Sequence, residues 1–243
     1  MSFADEHAGH DCAGVRWICA ADLPALRRSA YQRIVGAAAL AIERRRRFLI
    51  VLSGGNTPRG VYDQLRAAPT DWSLWQVYFG DERCLPLHDA GRNSRMAASI
   101  WLDHVPIAQD QIHVIPAELG AEASAQCYAD TLRGVGDFDL VLLGLGEDGH
   151  TASLFPGHDW GVASGAPDLL AIFDAPKPPL QRVSLSAARL NCTREVLFMV
   201  EGEAKRSAVA RWRAGEQLPA TAIHNAGNVN VLVECALLDQ RAV

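Results

Sequence analysis

The chain has 243 residues, of which 49% are hydrophobic and 21% charged, and its net charge is −5. These values are typical of a globular protein with a substantial core, and the acidic balance argues against a nucleic-acid partner, which requires a basic surface. No apolar run reaches the roughly 18 residues of a membrane span, and the first residues lack the regions of a signal peptide. Any negatively charged ligand must therefore be held by a local group of donors.

The cysteine spacing and the absence of linkers indicate the redox state of the thiols and the number of domains. Six cysteines occur without a CxxC pair, which favours reduced thiols in a cytoplasmic protein. We find neither an internal repeat nor a long linker, so we expect one α/β domain over 1–243, with 1–14 as a poorly ordered N-terminal tail. We expect a monomer, and the sequence leaves an oligomer open.

Helical and strand patterns alternate along the chain. Helical periodicity predicts a helix at 22–47 with Asp22 as its N-cap, a helix that opens at Thr57-Pro58, and further helices at 93–105, 121–135 and 203–214. Short apolar runs predict strands at 48–52, 75–82, 111–115, 138–146, 182–186, 195–200 and 229–234. This alternation predicts an α/β fold with a mostly parallel sheet. Such sheets bind ligands at the carboxyl ends of their strands, so the segments after the strands are the candidate sites.

The segment after strand 48–52 has the character of an anion site. Its residues are Ser53, Gly54, Gly55, Asn56, Thr57 and Pro58. Glycines let the backbone approach a ligand closely, and the following helix offers free N–H groups and the positive end of its dipole. The segment matches neither the P-loop nor GxGxxG. A plain tight turn is the alternative interpretation.

The strand at 75–82 ends in three adjacent charges, Asp81, Glu82 and Arg83. A guanidinium at this position can hold a carboxylate or a developing oxyanion in fixed geometry. A solvated loop is the alternative.

The strand at 138–146 runs into GEDGHTASLFPG, in which Asp148 and His150 flank Gly149. An imidazole is the usual general base near neutral pH, and a carboxylate two residues away can orient it and stabilise its charged form. The alternative is a histidine that only caps the following helix.

The strand at 195–200 is followed by EGEAKR, which puts Lys205 in the first turn of the predicted helix. A cation is disfavoured at this end of a helix dipole, and a bound anion would reverse the sign. Lys205 is therefore a second candidate phosphate ligand. A surface lysine whose charge is screened by salt is the alternative.

Taken in chain order, LSGGNTP, FGDER, LLGLGEDGHTASLFPG, RVSLS and EGEAKR resemble the 6-phosphogluconolactonase family. The resemblance extends from about residue 22 to the strand near 234, and the central GxGxDGHTASLFP motif is highly specific. Related amino-sugar-phosphate isomerase/deaminases continue differently after the histidine. The family usually has Ser-Asn after the acidic loop, whereas this chain has Arg92-Asn93, which puts the contacts of that loop in question.

The resemblance implies a Rossmann-like α/β fold and hydrolysis of 6-phospho-D-glucono-1,5-lactone to 6-phosphogluconate, in the oxidative pentose phosphate pathway. We expect no cofactor and no metal, because the sequence shows no ligand cluster and His150 can serve as the base that activates water. We expect His150 to take the proton from water, Asp148 to orient His150, and Arg83 to stabilise charge on the carbonyl oxygen. The expected substrate-binding residues are Ser53, Gly54, Gly55, Asn56, Thr57, Asp81, Asn93, Arg182 and Lys205, and the stretch 157–181 is a possible wall of the pocket.

Two other functions share some of these features. An amino-sugar-phosphate isomerase/deaminase would use the same phosphate cradle, the anion site at 53–58, and the same histidine turn, but would release ammonia from glucosamine 6-phosphate. A non-catalytic sugar-phosphate sensor would need the cradle and Lys205 but not His150 or Asp148.

Overall fold

The computed structural model describes residues 8–11, 14–224 and 228–239. The helices are α1 (Leu23–Arg45), α2 (Asn56–Leu65), α3 (Asn93–Ile100), α4 (Ala121–Leu132), α5 (Ala187–Asn191) and α6 (Arg206–Arg213). The strands are β1 (Ala8–Asp11), β2 (Val15–Ala20), β3 (Phe48–Leu52), β4 (Trp75–Phe79), β5 (Asp81–Arg83), β6 (Ile112–His113), β7 (Leu140–Gly144), β8 (Leu169–Ile172), β9 (Arg182–Leu185), β10 (Val196–Val200) and β11 (Val229–Glu234).

The large sheet confirms the predicted α/β fold. Its strand order is β1-β2-β11-β10-β7-β3-β4-β6. The seven strands from β2 to β6 in this order pair in parallel, while β1 pairs antiparallel with β2 at the edge. The central strands β3 and β10 are buried along their whole length, as expected of strands covered by helices on both faces.

Helix α1 begins where the sequence predicts. The Asp22 carboxylate accepts a hydrogen bond of 2.7 Å from the Ala25 N–H, which caps the helix. At the other end the Arg45 guanidinium pairs with Asp139, whose carboxylate also accepts from the Leu49 N–H at 2.9 Å. The arginines at 44–47 thus belong to the helix end, and Arg45 ties it to the starts of β3 and β7. None of the helices in the described part of the chain has the length and hydropathy that a membrane crossing needs.

The single strand predicted at 75–82 is wrong, because the chain changes sheets at Gly80. The Gly80 N–H donates to the Leu52 carbonyl of the large sheet at 3.0 Å, and its carbonyl accepts from the Leu185 N–H at 2.8 Å. Residues Asp81–Arg83 therefore form β5 of a second, antiparallel sheet with the order β5-β9-β8. This small sheet stands beside the carboxyl ends of the large one and delivers charged residues to them.

The N-terminal segment differs from its prediction where it is described. Residues Ala8–Asp11 of the expected tail form β1, which pairs antiparallel with residues 15–18 of β2. The remainder of that segment up to residue 13 lies outside the described residues.

The prediction of reduced thiols is wrong for Cys19 and Cys235, which form a disulfide with their Cα atoms 4.9 Å apart. Cys19 lies opposite Val233 in the parallel β2–β11 pair, and Cys235 directly follows β11, so pairing of the strands brings the two together across 216 residues of sequence. The free cysteines within the described residues are Cys84, Cys127 and Cys192, and Cys12 lies outside them.

Candidate active site

A cavity of about 360 Å³ opens at the carboxyl ends of β3, β7 and β10. In the sheet, β3 and β7 are neighbours. After β3 the chain adds β4 on one side of this pair, and after β7 it adds β10 on the other side, so the cavity lies at the point where the strand order reverses. Every predicted site residue except Asp148 lines it, namely Ser53, Gly54, Gly55, Asn56, Thr57, Asp81, Arg83, Asn93, His150, Arg182 and Lys205.

Asp148 lies behind His150 and holds its ring. The Asp148 carboxylate is 2.5 Å from Nδ1 of His150 and also accepts from the His150 backbone N–H at 3.1 Å. A carboxylate at Nδ1 favours the tautomer that carries its proton there, which leaves Nε2 as an acceptor. Phe155 packs against the ring, with the ring centroids 5.0 Å apart. The pair therefore presents a fixed imidazole to the cavity.

Glycines make this turn possible. A Cβ on Gly146 would lie 2.0 Å from Nδ1 of His150, so only glycine lets the ring lie over the backbone. The Gly146 N–H closes the turn by donating to the His150 carbonyl at 2.7 Å. Gly149 has a φ of +92° and packs against Leu218, where a Cβ would approach to 2.9 Å. From α6, Arg211 donates to the Asp148 carbonyl at 3.3 Å.

The contacts with His150 change the acidity of Asp148. Partial burial raises the pKa of Asp148, but the hydrogen bonds from the His150 backbone and ring and the charge of the ring outweigh burial and bring this pKa below the ordinary value of 3.8. The ionised carboxylate is consequently favoured in the folded protein over the unfolded chain.

We expect Asp148→Asn to reduce the acid sensitivity of the fold. Since the folded-state pKa is lowered, the stabilising contribution of Asp148 is complete above the ordinary aspartate value and is lost as pH falls through the lowered value. The measurement is the free energy of unfolding in urea at several pH values between about 6 and 2. The values for wild type and variant should differ most near pH 6 and converge near pH 2. Curves that stay parallel over this range would contradict the assignment.

The segment after β3 presents unsatisfied donors to the cavity. The Tyr62 hydroxyl fixes the Ser53 backbone, since it accepts from the Ser53 N–H at 3.1 Å and donates to the Ser53 carbonyl at 2.9 Å. Ser53 is only 7% exposed, and its Oγ has no hydrogen-bond partner within the described residues. Helix α2 starts two residues after Gly54, at Asn56, and no side chain caps it. A buried hydroxyl and an uncapped helix N-terminus at one wall suit a ligand rich in acceptors.

Gly54 also has a structural role that was not predicted. A Cβ on this residue would lie 2.0 Å from Oδ1 of Asn93, so the glycine makes room for that side chain. Asn93 donates to both the carbonyl and the Oδ1 of Asp81, each at 3.0 Å, and the Ser153 hydroxyl donates to Asp81 Oδ2 at 2.7 Å. Both Asp81 oxygens are therefore engaged, and Asp81 braces the wall that carries Asn93.

Arg92 stands where the family pattern has serine, and its side chain is fully buried. It donates to Glu118 at 2.7 Å and to the Ile115 carbonyl at 2.6 Å, and lies 3.6 Å from Glu82. Glu82 in turn accepts from the first N–H groups of α3, those of Asn93 at 2.7 Å and of the next residue at 2.9 Å. The substitution therefore builds an internal ion network that anchors α3 and leaves Asn93 at the cavity.

Three cations reach the cavity from different elements. Arg83 and Arg182 are register partners in the small sheet, so the antiparallel pairing brings both to one wall. Arg83 is held by donation to the Gly91 carbonyl at 2.5 Å, and Arg182 by donation to two carbonyls of the preceding loop. Burial and the neighbouring Arg83 lower the pKa of Arg182, partly opposed by the Asp81 carboxylate.

The structure corrects the prediction for Lys205. It ends a short turn, Glu203–Lys205, and α6 begins only at Arg206, so Lys205 precedes the helix and the helix-dipole reason does not apply as stated. Its side chain nevertheless lines the cavity and makes no ion pair or hydrogen bond in the part of the chain that is described.

Several lining residues were not predicted, namely Pro58, Gly144, Leu145, Gly146, Ala152, Met199, Val200 and Glu201. Glu201 directly follows β10, so the same strand-end rule would have found it. The possible wall at 157–181 is wrong, since the lining includes none of its residues. Its strand β8 pairs with the far side of β9, away from β5.

Within the described residues, no three His, Cys, Asp or Glu side chains are grouped as metal ligands.

Comparisons with known proteins agree with this architecture. The family model described as glucosamine-6-phosphate isomerases/6-phosphogluconolactonase matches residues 21–232. The 6-phosphogluconolactonase of Mycobacterium leprae is 35% identical over 88% of this chain and 91% of its own length. That of Synechocystis is 37% identical over 83% of this chain and 86% of its own length. The structure of 6-phosphogluconolactonase from Trypanosoma brucei superposes with a TM-score of 0.82 at 25% identity, covering 93% of this chain and 98% of that one. The chain therefore belongs to the family of glucosamine-6-phosphate isomerases and 6-phosphogluconolactonases.

Proposed function

We propose that the protein hydrolyses 6-phospho-D-glucono-1,5-lactone to 6-phospho-D-gluconate, with His150 as the general base that activates water. The observation that carries the proposal is the Asp148–His150 pair, 2.5 Å apart, at the same cavity as the Ser53 cradle and three cationic side chains. The names of the relatives above support the lactone as substrate. Reaction in the oxidative pentose phosphate pathway and a cytoplasmic location are part of the same proposal.

The phosphate of the substrate suits the wall formed by α2 and Lys205. The Ser53 hydroxyl and the uncapped N-terminus of α2 supply donors, and the Lys205 ammonium supplies charge. Thr57 and Arg182 border the same cavity and add further donors. Anchoring the phosphate holds the lactone ring near His150, which converts the attack of water into a step within one complex.

The hydrolysis itself then needs one base and one site for negative charge. Nε2 of His150 takes a proton from water as the water oxygen bonds to C1, and Asp148 stabilises the imidazolium that forms. The Arg83 guanidinium stabilises the negative charge that builds on the carbonyl oxygen. When the tetrahedral intermediate collapses, the C1–O5 bond breaks, and O5 leaves with the proton from the imidazolium. The new carboxyl group then releases its proton to solvent.

The decisive experiment measures loss of the lactone. The lactone is generated in place, and its disappearance is followed at neutral pH with and without catalytic amounts of the protein. We expect a rate well above spontaneous hydrolysis. A rate equal to background would reject the hydrolase, and ammonia release from glucosamine 6-phosphate would then identify the isomerase/deaminase activity of the other branch of the family.

A further inference from the structure

A carboxylate with no partner borders the cavity beside the proposed phosphate cradle. Glu201 directly follows β10 and lines the cavity, four residues before Lys205. Its Oε2 is fully buried and has no hydrogen-bond partner, and its carboxylate makes no ion pair within the residues that the structure describes. The residue as a whole is partly exposed, but its buried Oε2 has lost its hydration without gaining a donor, which is unfavourable. Such a group in a ligand cavity requires an explanation that the protein alone does not give.

The chemistry of the carboxylate restricts which part of a ligand it can face. An ionised carboxylate only accepts hydrogen bonds, so its complement must be a donor. The phosphate and the lactone carbonyl of the proposed substrate offer acceptors, and the phosphate would also be repelled by the negative charge. The hydroxyls on C2, C3 and C4 are the donors that the substrate has, and the open-chain 6-phosphogluconate keeps them.

We propose that Glu201 is a specificity-determining residue that accepts a hydrogen bond from one of these hydroxyls of the bound sugar phosphate. The inference rests on the proposed function for the identity of the sugar. Lys205, four residues further along the chain, attracts the phosphate, whereas Glu201 repels it and binds a hydroxyl. The opposite charges therefore orient the substrate, with its phosphate at one part of the wall and its ring at the other.

The test compares two probes, inorganic phosphate and 6-phosphogluconate, by titration calorimetry. We expect Glu201→Ala to lower the affinity for 6-phosphogluconate about tenfold or more, as loss of a hydrogen bond to a charged group predicts. The affinity for inorganic phosphate should stay unchanged or increase. Glu201→Gln, which keeps an acceptor oxygen but no charge, should lower the affinity for 6-phosphogluconate less than Glu201→Ala does. Lys205→Met should lower the affinity for both probes.

Glu203→Gln is the matched control. It removes the same charge two residues further along the chain, but Glu203 pairs with Arg206 and does not line the cavity. We expect it to bind both probes like wild type.

The other outcomes overturn the inference. If Glu201→Ala weakens both probes equally, the residue only positions Lys205, and if it changes neither, it does not touch the ligand. A wild-type protein that binds phosphate but not 6-phosphogluconate leaves Glu201 no hydroxyl to bind. The proposed function fails separately, when the wild type binds 6-phosphogluconate but does not accelerate lactone loss.

Discussion

Replacing His150 with alanine should lower kcat for lactone hydrolysis by about 10²–10⁴-fold, the usual contribution of a positioned general base. The reason is geometric. Asp148 engages Nδ1 at 2.5 Å, Gly146 leaves room for the ring, and Phe155 limits its tilt, so the protein holds the imidazole before the substrate arrives. The measurement is the rate of lactone loss, corrected for spontaneous hydrolysis, with the affinity for inorganic phosphate as evidence of an intact site.

The chain offers a matched control for this variant. His158 also pairs with an aspartate, since its Nε2 lies 3.1 Å from Asp174, but it does not line the cavity. His158→Ala should retain wild-type activity. A loss of less than tenfold in His150→Ala, with the protein folded, would remove His150 as the base.

The sequence located most of the candidate site because one topological rule applies to it. Parallel strands end at one edge of a sheet, so the polar residues after β3, β4 and β7 were expected at that edge, and they lie together because the three strands are neighbours in the order. For the same reason His150 and Ser53 could be assigned to one site from two separate motifs. Glu201 follows the same rule, but after β10 only the cation Lys205 was predicted.

The parts that were wrong depend on contacts between distant segments. The break at Gly80 is visible only once Leu185 of β9 pairs with it, and the bond between Cys19 and Cys235 follows from the pairing of β2 with β11. Lys205 was placed correctly for an inadequate reason, because helical periodicity does not distinguish a preceding tight turn from the first turn of a helix.

The cavity is positive although the protein is not. The net charge of the chain is −5, yet Arg83, Arg182 and Lys205 converge on one cavity from the small sheet and from the loop after β10. Low-dielectric walls make such a local field stronger than the net charge suggests. Asp81 and Glu201 border the same cavity, so three cations face two carboxylates. Both oxygens of Asp81 are engaged by Asn93 and Ser153. Arg83 is consequently available for charge that appears during the reaction.

Replacing Arg83 with methionine should lower kcat by about 10²–10³-fold, as removal of one oxyanion-stabilising donor does in other enzymes. The guanidinium is oriented by its donation to the Gly91 carbonyl, so it can meet the developing oxyanion without rearranging. Arg83→Lys keeps the charge but not the planar fork, and we expect it to recover only part of the rate. Steady-state kinetics of lactone loss should show the change in kcat, while affinity for inorganic phosphate stays near that of wild type.

The affinity for phosphate separates the two roles that an arginine can have in this cavity. An arginine that held the phosphate would lose binding of inorganic phosphate when replaced, and kcat at saturation would change little, since uniform binding affects KM. If Arg83→Met loses phosphate affinity while kcat changes little, Arg83 holds the phosphate and another donor stabilises the oxyanion. Arg182, its register partner, would then be the next residue to replace. Arg66→Met is the control, because Arg66 is exposed, pairs only weakly with Asp63 at 3.6 Å and does not line the cavity, so both constants should remain unchanged.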